Sequence, residues 1–108
     1  MTEYSIVLTT TKTEDNLNKI IENLLNHNLA ACIQYYPIKS AYVWDNEIQK
    51  DDEFILIVKT KKSLFKDVEE RINEVHSYDE PEIISLPISS GSSGYLNWIS
   101  EVTKGSKI

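Results

Sequence analysis

The chain has 108 residues, 41% of them hydrophobic, a formal charge of -6 and an isoelectric point near 4.8. That is enough apolar material for one core and one expected domain over 1–108, while 11 basic against 17 acidic side chains exclude the phosphate-neutralising surface of a nucleic-acid binder and leave cations as the more natural charged partners. No run approaches the ~18 apolar residues of a membrane span, Met1-Thr2-Glu3-Tyr4 carries no secretory pattern, and the single Cys32 excludes an intramolecular disulfide, so a cytoplasmic location is expected.

Residues 4–10 join β-branched and apolar types in a short run that predicts a first strand. Thr11-Lys12-Thr13-Glu14 fits a capping box, with the Thr11 hydroxyl and Glu14 satisfying amides at a helix start. Leu17, Ile20, Ile21, Leu24 and Leu25 then recur on one helical face, and Asn28 suits a left-handed terminator. His27, at that helix end, reads as a solvated residue suited to the dipole.

Residues 29–43 predict a long, bent strand in which Pro37 demands an edge or bulge position. Cys32 lies in the apolar run Leu29-Ala30-Ala31-Cys32-Ile33 and is expected to be a buried small hydrophobe. Asp45-Asn46 tolerates positive φ and predicts a tight turn into a second long strand over 48–60. Ser63 is the expected cap of a second helix carrying Leu64, Val68, Ile72 and Val75 and ending near His76. Pro81 disfavours helix at Glu80, and Ile83-Ile84-Ser85-Leu86 predicts a strand that stops at Pro87. Residues 89–94 read as a Ser/Gly loop. Tyr95, Trp98, Ile99 and Val102 give a short amphipathic C-terminal helix, and 105–108 are expected to fray.

The order β, α, β, β, α, β plus an extra helix predicts an α+β, ferredoxin-like split βαβ fold with a long β-hairpin. Strands of about 13 residues reach roughly 40 Å, far beyond the usual six-residue strand. Much of the hairpin must therefore overhang the body and be covered by other copies in a closed symmetric oligomer. Tyr35, Tyr36, Tyr42 and Trp44 are the expected interface aromatics.

His76-Ser77-Tyr78-Asp79-Glu80-Pro81-Glu82 gathers an imidazole, a phenol and carboxylates between a helix and a strand. Two readings stand: a site on a loop anchored by rigid elements, or an acidic turn with a histidine at a helix C-terminus.

Taken together, Leu29-Ala30-Ala31-Cys32, Ser40-Ala41-Tyr42-Val43-Trp44, Glu53, Lys59-Thr60, His76-Ser77-Tyr78-Asp79-Glu80-Pro81-Glu82-Ile83 and Tyr95-Leu96-Asn97-Trp98 resemble the CutA family of divalent-cation tolerance proteins over nearly the whole chain. The resemblance implies a ferredoxin-like subunit, a homotrimer made by pairing strands between subunits, and a link to copper(II) or another divalent cation. It also implies a likeness to the trimeric PII proteins, which does not carry function. The chain departs from the family where His-Pro-Tyr becomes His76-Ser77-Tyr78, where Asn46 replaces a glycine at the hairpin tip, and where Thr9 or Thr10 stands in place of a cysteine of some copper-associated members.

Copper(II) favours imidazole with carboxylate or other N/O donors. His76 is the candidate metal residue, with Asp79, Glu80 and Glu82 nearby in sequence, and one imidazole predicts weak or accessory binding. The alternative is an interface pocket of Tyr42, Trp44, Glu53, Lys59, His76, Tyr78 and Glu82 that takes a small molecule or a protein partner. Against it, Glu53 and Lys59 simply pair or project, and Tyr78 and Trp98 fill core. Ser92-Ser93-Gly94 offers free amides to an anion, although most such loops only connect elements. No enzyme is expected: Cys32 with His76 as nucleophile and base suffers from an apolar thiol site, and His76 with Glu82 lacks an oxyanion-stabilising motif.

Overall fold

The computed structural model describes residues 3–105; of the tail expected to fray, 106–108 lie outside the described residues. The elements are β1 (Tyr4–Thr11), α1 (Glu14–Leu25), β2 (Cys32–Trp44), β3 (Glu47–Lys61), a 3-10 turn (Lys62–Leu64), α2 (Phe65–Val75), β4 (Ile83–Pro87) and α3 (Ser93–Val102). Four strands form one antiparallel sheet in the order β2-β3-β1-β4, the expected ferredoxin-like arrangement.

Alternation along the strands divides the sheet into two faces. Val7 on β1 and Leu56 and Val58 on β3 are fully buried, and they join Leu17, Ile20 and Leu24 of α1 and Val68 and Ile72 of α2 in the core. The other face carries Tyr4, Ile6 and Leu8 of β1, Ile55, Ile57 and Lys59 of β3, and Ile84 and Leu86 of β4, as the registers dictate. Among the described helices, α3 packs on this face. The Tyr4 hydroxyl meets Ser100 Oγ at 2.7 Å, and Lys59 Nζ stands 5.5 Å from the Tyr95 ring centroid. Ile99 is buried beneath the helix, apart from the main core.

The hairpin forms as its turn residues require. Asp45 and Asn46 have φ of 54° and 61°, the two positive values of a type I′ turn whose twist matches the flanking strands. Pro37 sits on β2, which is an edge strand, so its missing N–H breaks no central ladder. The β1–β3 register ends at Thr11 opposite Phe54. Residues 47–53 of β3 therefore pair with β2 alone and project roughly 23 Å at ~3.3 Å per residue, which contributes to a longest dimension of 48 Å.

Four local expectations are corrected. Thr13, not Thr11, caps α1, its Oγ1 accepting from the Asn16 amide at 3.1 Å, because β1 keeps Thr11 in its ladder to the end. Ser63 falls inside the 3-10 turn, and α2 starts after Leu64 with no side-chain cap. Ser93 and Gly94 already belong to α3. Cys32 is half-buried on the edge strand opposite Lys59, since that edge lacks a covering neighbour. Asn28, by contrast, has the left-handed φ of 57°, and His27 Nδ1 donates to the Asn23 carbonyl at 2.7 Å at the end of α1.

Candidate functional site

The site forms where the hairpin leaves the body. The β1–β4 ladder ends at Thr9 opposite Ile83, which leaves the Thr10 carbonyl past the end of β4. His76, the C-cap of α2, fills this gap: Nε2 lies 2.8 Å from the Thr10 carbonyl oxygen and Nδ1 lies 3.0 Å from the Tyr78 amide. A carbonyl only accepts and an amide N–H only donates. The partners therefore assign a neutral ring with its proton on Nε2. Burial holds the His76 pKa below its ordinary value, against the opposing pull of the Thr10 carbonyl and Glu53.

That turn carries Tyr78 to Glu53. The Tyr78 hydroxyl donates to Glu53 Oε2 at 2.6 Å, and the His76 and Tyr78 ring centroids are 5.0 Å apart. Glu53 is 8% exposed, and the phenol supplies the hydrogen bond that a buried carboxylate needs. Desolvation, and then the bond to Glu53, push the Tyr78 pKa up, so the phenol stays protonated as a donor. Two positions along β3, Asp51 repeats the arrangement: the Tyr42 hydroxyl donates to its Oδ2 and Lys12 Nζ stands 3.3 Å from its Oδ1. The Tyr42 bond, followed by that of Lys12, lowers the Asp51 pKa, and the same bond raises that of Tyr42.

Tyr42, Glu53 and the His76–Tyr78 turn thus come together from three places in the sequence. Trp44 and Lys59 do not. Trp44 lies six positions along β2 from the partner of Glu53, and Lys59 six along β3, each roughly 20 Å away at ~3.3 Å per residue. Glu82 is exposed just before β4, and its side chain takes no part in these site hydrogen bonds. Cys32 pairs at the level of Ile6 through Lys59, four residues from Thr10, so it stands roughly 13 Å from the His76 clasp along the strands. Lys12 and Asp51 were not singled out in the sequence. The i, i+2 spacing of Asp51 and Glu53 on a strand is the signal that places both carboxylates on one face.

This donor set does not fit a copper centre. The one lone pair of the neutral His76 ring accepts the Tyr78 amide, Thr9 and Thr10 supply no thiolate, and among the described residues no three His, Cys, Asp or Glu side chains converge as ligands.

Comparison with known proteins agrees with the fold and its order of motifs. The CutA1 divalent ion tolerance protein family matches residues 5–102. The divalent-cation tolerance protein CutA of Thermus thermophilus is 38% identical over 99 residues, covering 91% of this chain and 96% of its own length. The chloroplastic protein CutA of Arabidopsis thaliana is also 38% identical, over 100 residues, and this chain spans 55% of its length. Among solved structures, CutA1 from Oryza sativa superposes with a TM-score of 0.92 at 33% identity, covering 96% of each chain. The periplasmic divalent cation tolerance protein CutA from Archaeoglobus fulgidus gives 0.89 at 34% identity, covering 92% of this chain and 97% of its own. By its sequence along nearly its full length and by its close superposition on these structures, this chain belongs to the CutA1 divalent ion tolerance protein family.

Proposed function

We propose that the protein serves tolerance or response to divalent cations as a non-enzymatic homotrimer, with only weak and accessory contact to copper(II). The observation that supports assembly is the open sheet face. Beside α3 it leaves Ile84 48%, Leu86 45%, Tyr36 54% and Tyr42 42% exposed, and it continues onto a hairpin whose Trp44 is 58% exposed. Exposed large apolar and aromatic side chains gathered on one face mark an interaction site, and among the described residues β2 and β4 are the outer strands of the sheet. Self-association also offers the only route by which Trp44 and Lys59 can join the cleft at Glu53, because within one chain they stand too far away. The half-exposed free thiol of Cys32 is in keeping with a cytoplasmic location.

Light scattering on a size-exclusion column tests the assembly. The expected mass is three times the 12.4 kDa of the chain, falling to the single-chain mass in the double variant Ile84→Lys, Leu86→Lys. A wild-type mass of one chain overturns the reading.

One observation favours a second reading, a sensor or scaffold that takes a small ligand or protein partner. An open cleft of about 490 Å³ lies beside Lys12, Ile38, Glu53 and Phe54, next to the Tyr78–Glu53 pair. Saturable amide shift changes confined to these residues on titration with small anionic and zwitterionic metabolites, retained in His76→Ala, would favour it over the metal role.

A further inference from the structure

Asn16 lies in the first turn of α1 and is 6% exposed. Its side chain has no part in capping that helix, because Thr13 already accepts the Asn16 backbone amide. The carboxamide instead points out of α1. Its Oδ1 accepts from Thr11 Oγ1 at 2.6 Å and from the Ser77 amide at 3.4 Å, and its Nδ2 donates to the Val75 carbonyl at 2.7 Å. Val75 is the last residue of α2, and Ser77 stands between His76 and Tyr78. One buried amide therefore ties the end of β1 to the end of α2 and to the turn that presents the phenol. Both ends of the amide are engaged, the oxygen by donors and the nitrogen by an acceptor, so its orientation is fixed.

We propose that Asn16 is a positioning residue, which holds the His76-Ser77-Tyr78 turn so that the Tyr78 hydroxyl meets Glu53. The His76 ring grips the same turn from within, between the Thr10 carbonyl and the Tyr78 amide. Asn16 grips it from the helix layer. An aliphatic residue at 16 leaves the Val75 carbonyl and the Thr11 hydroxyl without this partner, and an aspartate faces the Val75 carbonyl with an oxygen. This inference rests on the reading of the Glu53–Tyr78 pair as part of the working cleft. Its test reads the turn itself, so a cleft that binds nothing does not affect the outcome.

Nitrogen NMR of the His76 ring and hydrogen exchange of the Tyr78 amide provide that test on the full chain. Thr13→Ala serves as a control that weakens α1 without touching the carboxamide. In the wild type and in Thr13→Ala, the ring is expected as a single Nε2–H tautomer, with the Tyr78 amide protected. In Asn16→Ala, the tautomers mix and protection at Tyr78 falls about tenfold or more relative to the core amides. Asn16→Asp gives the same result and decides the question if the alanine variant does not fold. Retention of either the single tautomer or the Tyr78 protection in a folded Asn16 variant, with only the melting temperature lowered as in Thr13→Ala, overturns the proposal.

Discussion

The Tyr78 hydroxyl donates to Glu53 Oε2 at 2.6 Å, joining the turn after α2 to the root of the hairpin. Removing the donor while keeping the ring leaves a nearly buried carboxylate without its phenol. Hydrogen bonds to charged groups contribute about 1.5–3 kcal/mol, and Tyr78→Phe is expected to lose stability of that order in urea unfolding at pH 7. A change below about 0.5 kcal/mol, the range of ordinary surface substitutions, would show that the pair does not hold the hairpin root.

Acid is expected to weaken the fold through His76. Its folded-state pKa lies below the ordinary 6.5 because burial disfavours the imidazolium. The unfolded chain then binds the extra proton first, so stability rises with pH in this window. The His76 contribution is fully present above pH 6.5 and is lost as pH falls through the depressed folded value. Asp51, whose pKa is lowered from 3.8, acts with the same sign at lower pH and does not share the window. Chemical denaturation at intervals between pH 7 and 5 should show this slope in the wild type and a flatter one in His76→Gln.

Copper(II) titration calorimetry of the wild type beside His76→Ala addresses the metal directly. Because the ring's lone pair already accepts the Tyr78 amide, the two proteins, matched in oligomeric mass, are expected to bind copper weakly and alike. A sharp loss of affinity at fixed stoichiometry in the variant would mean that the ring leaves its clasp to meet the metal.

Helix capping distinguishes two threonine and serine positions that look alike in sequence. Thr13→Ala should cost about 1 kcal/mol, the usual loss of an N-cap, since its Oγ1 accepts the Asn16 amide. Ser63→Ala should change stability by less than about 0.5 kcal/mol, because Ser63 caps nothing. Equal losses at both positions would contradict the assigned start of α2.

Tyr42→Asp places a second carboxylate beside Asp51 in place of the phenol that donates to it. Like charges at this spacing repel, and the aromatic surface offered to another copy is lost. The expected result is a lower mass in solution with the subunit still folded by circular dichroism. An unchanged mass would move the interface away from this part of the ribbon.

Much of the fold was legible because its signals are local. The apolar spacing of Leu17, Ile20 and Leu24, the positive-φ residues Asp45 and Asn46, and Pro81 and Pro87 around a short apolar run each specify an element without reference to the rest. The caps were harder to read, because Thr11 and Thr13 have the same chemistry and only the length of the β1 ladder decides between them. The site was half legible. His76 and Tyr78 stood out as a cluster, and Glu53 entered through the family resemblance. Lys12, Asp51 and Asn16 act through contacts over 39 and 59 residues of sequence, which no periodicity records. Trp44 and Lys59 share the face of Glu53 but lie far along their strands, a separation that pattern alone does not measure.

Pro37 gives the free edge of β2 one further property. A ladder that grows by adding strands needs a donor at every second residue, and this edge lacks one at Pro37. Any strand that docks there meets a fixed interruption, which penalises slipped alignments and endless stacking. The same ring that the hairpin accommodates as an irregularity thereby works as a gatekeeper, guarding an exposed ribbon rich in tyrosine, valine and isoleucine against fibrillar growth.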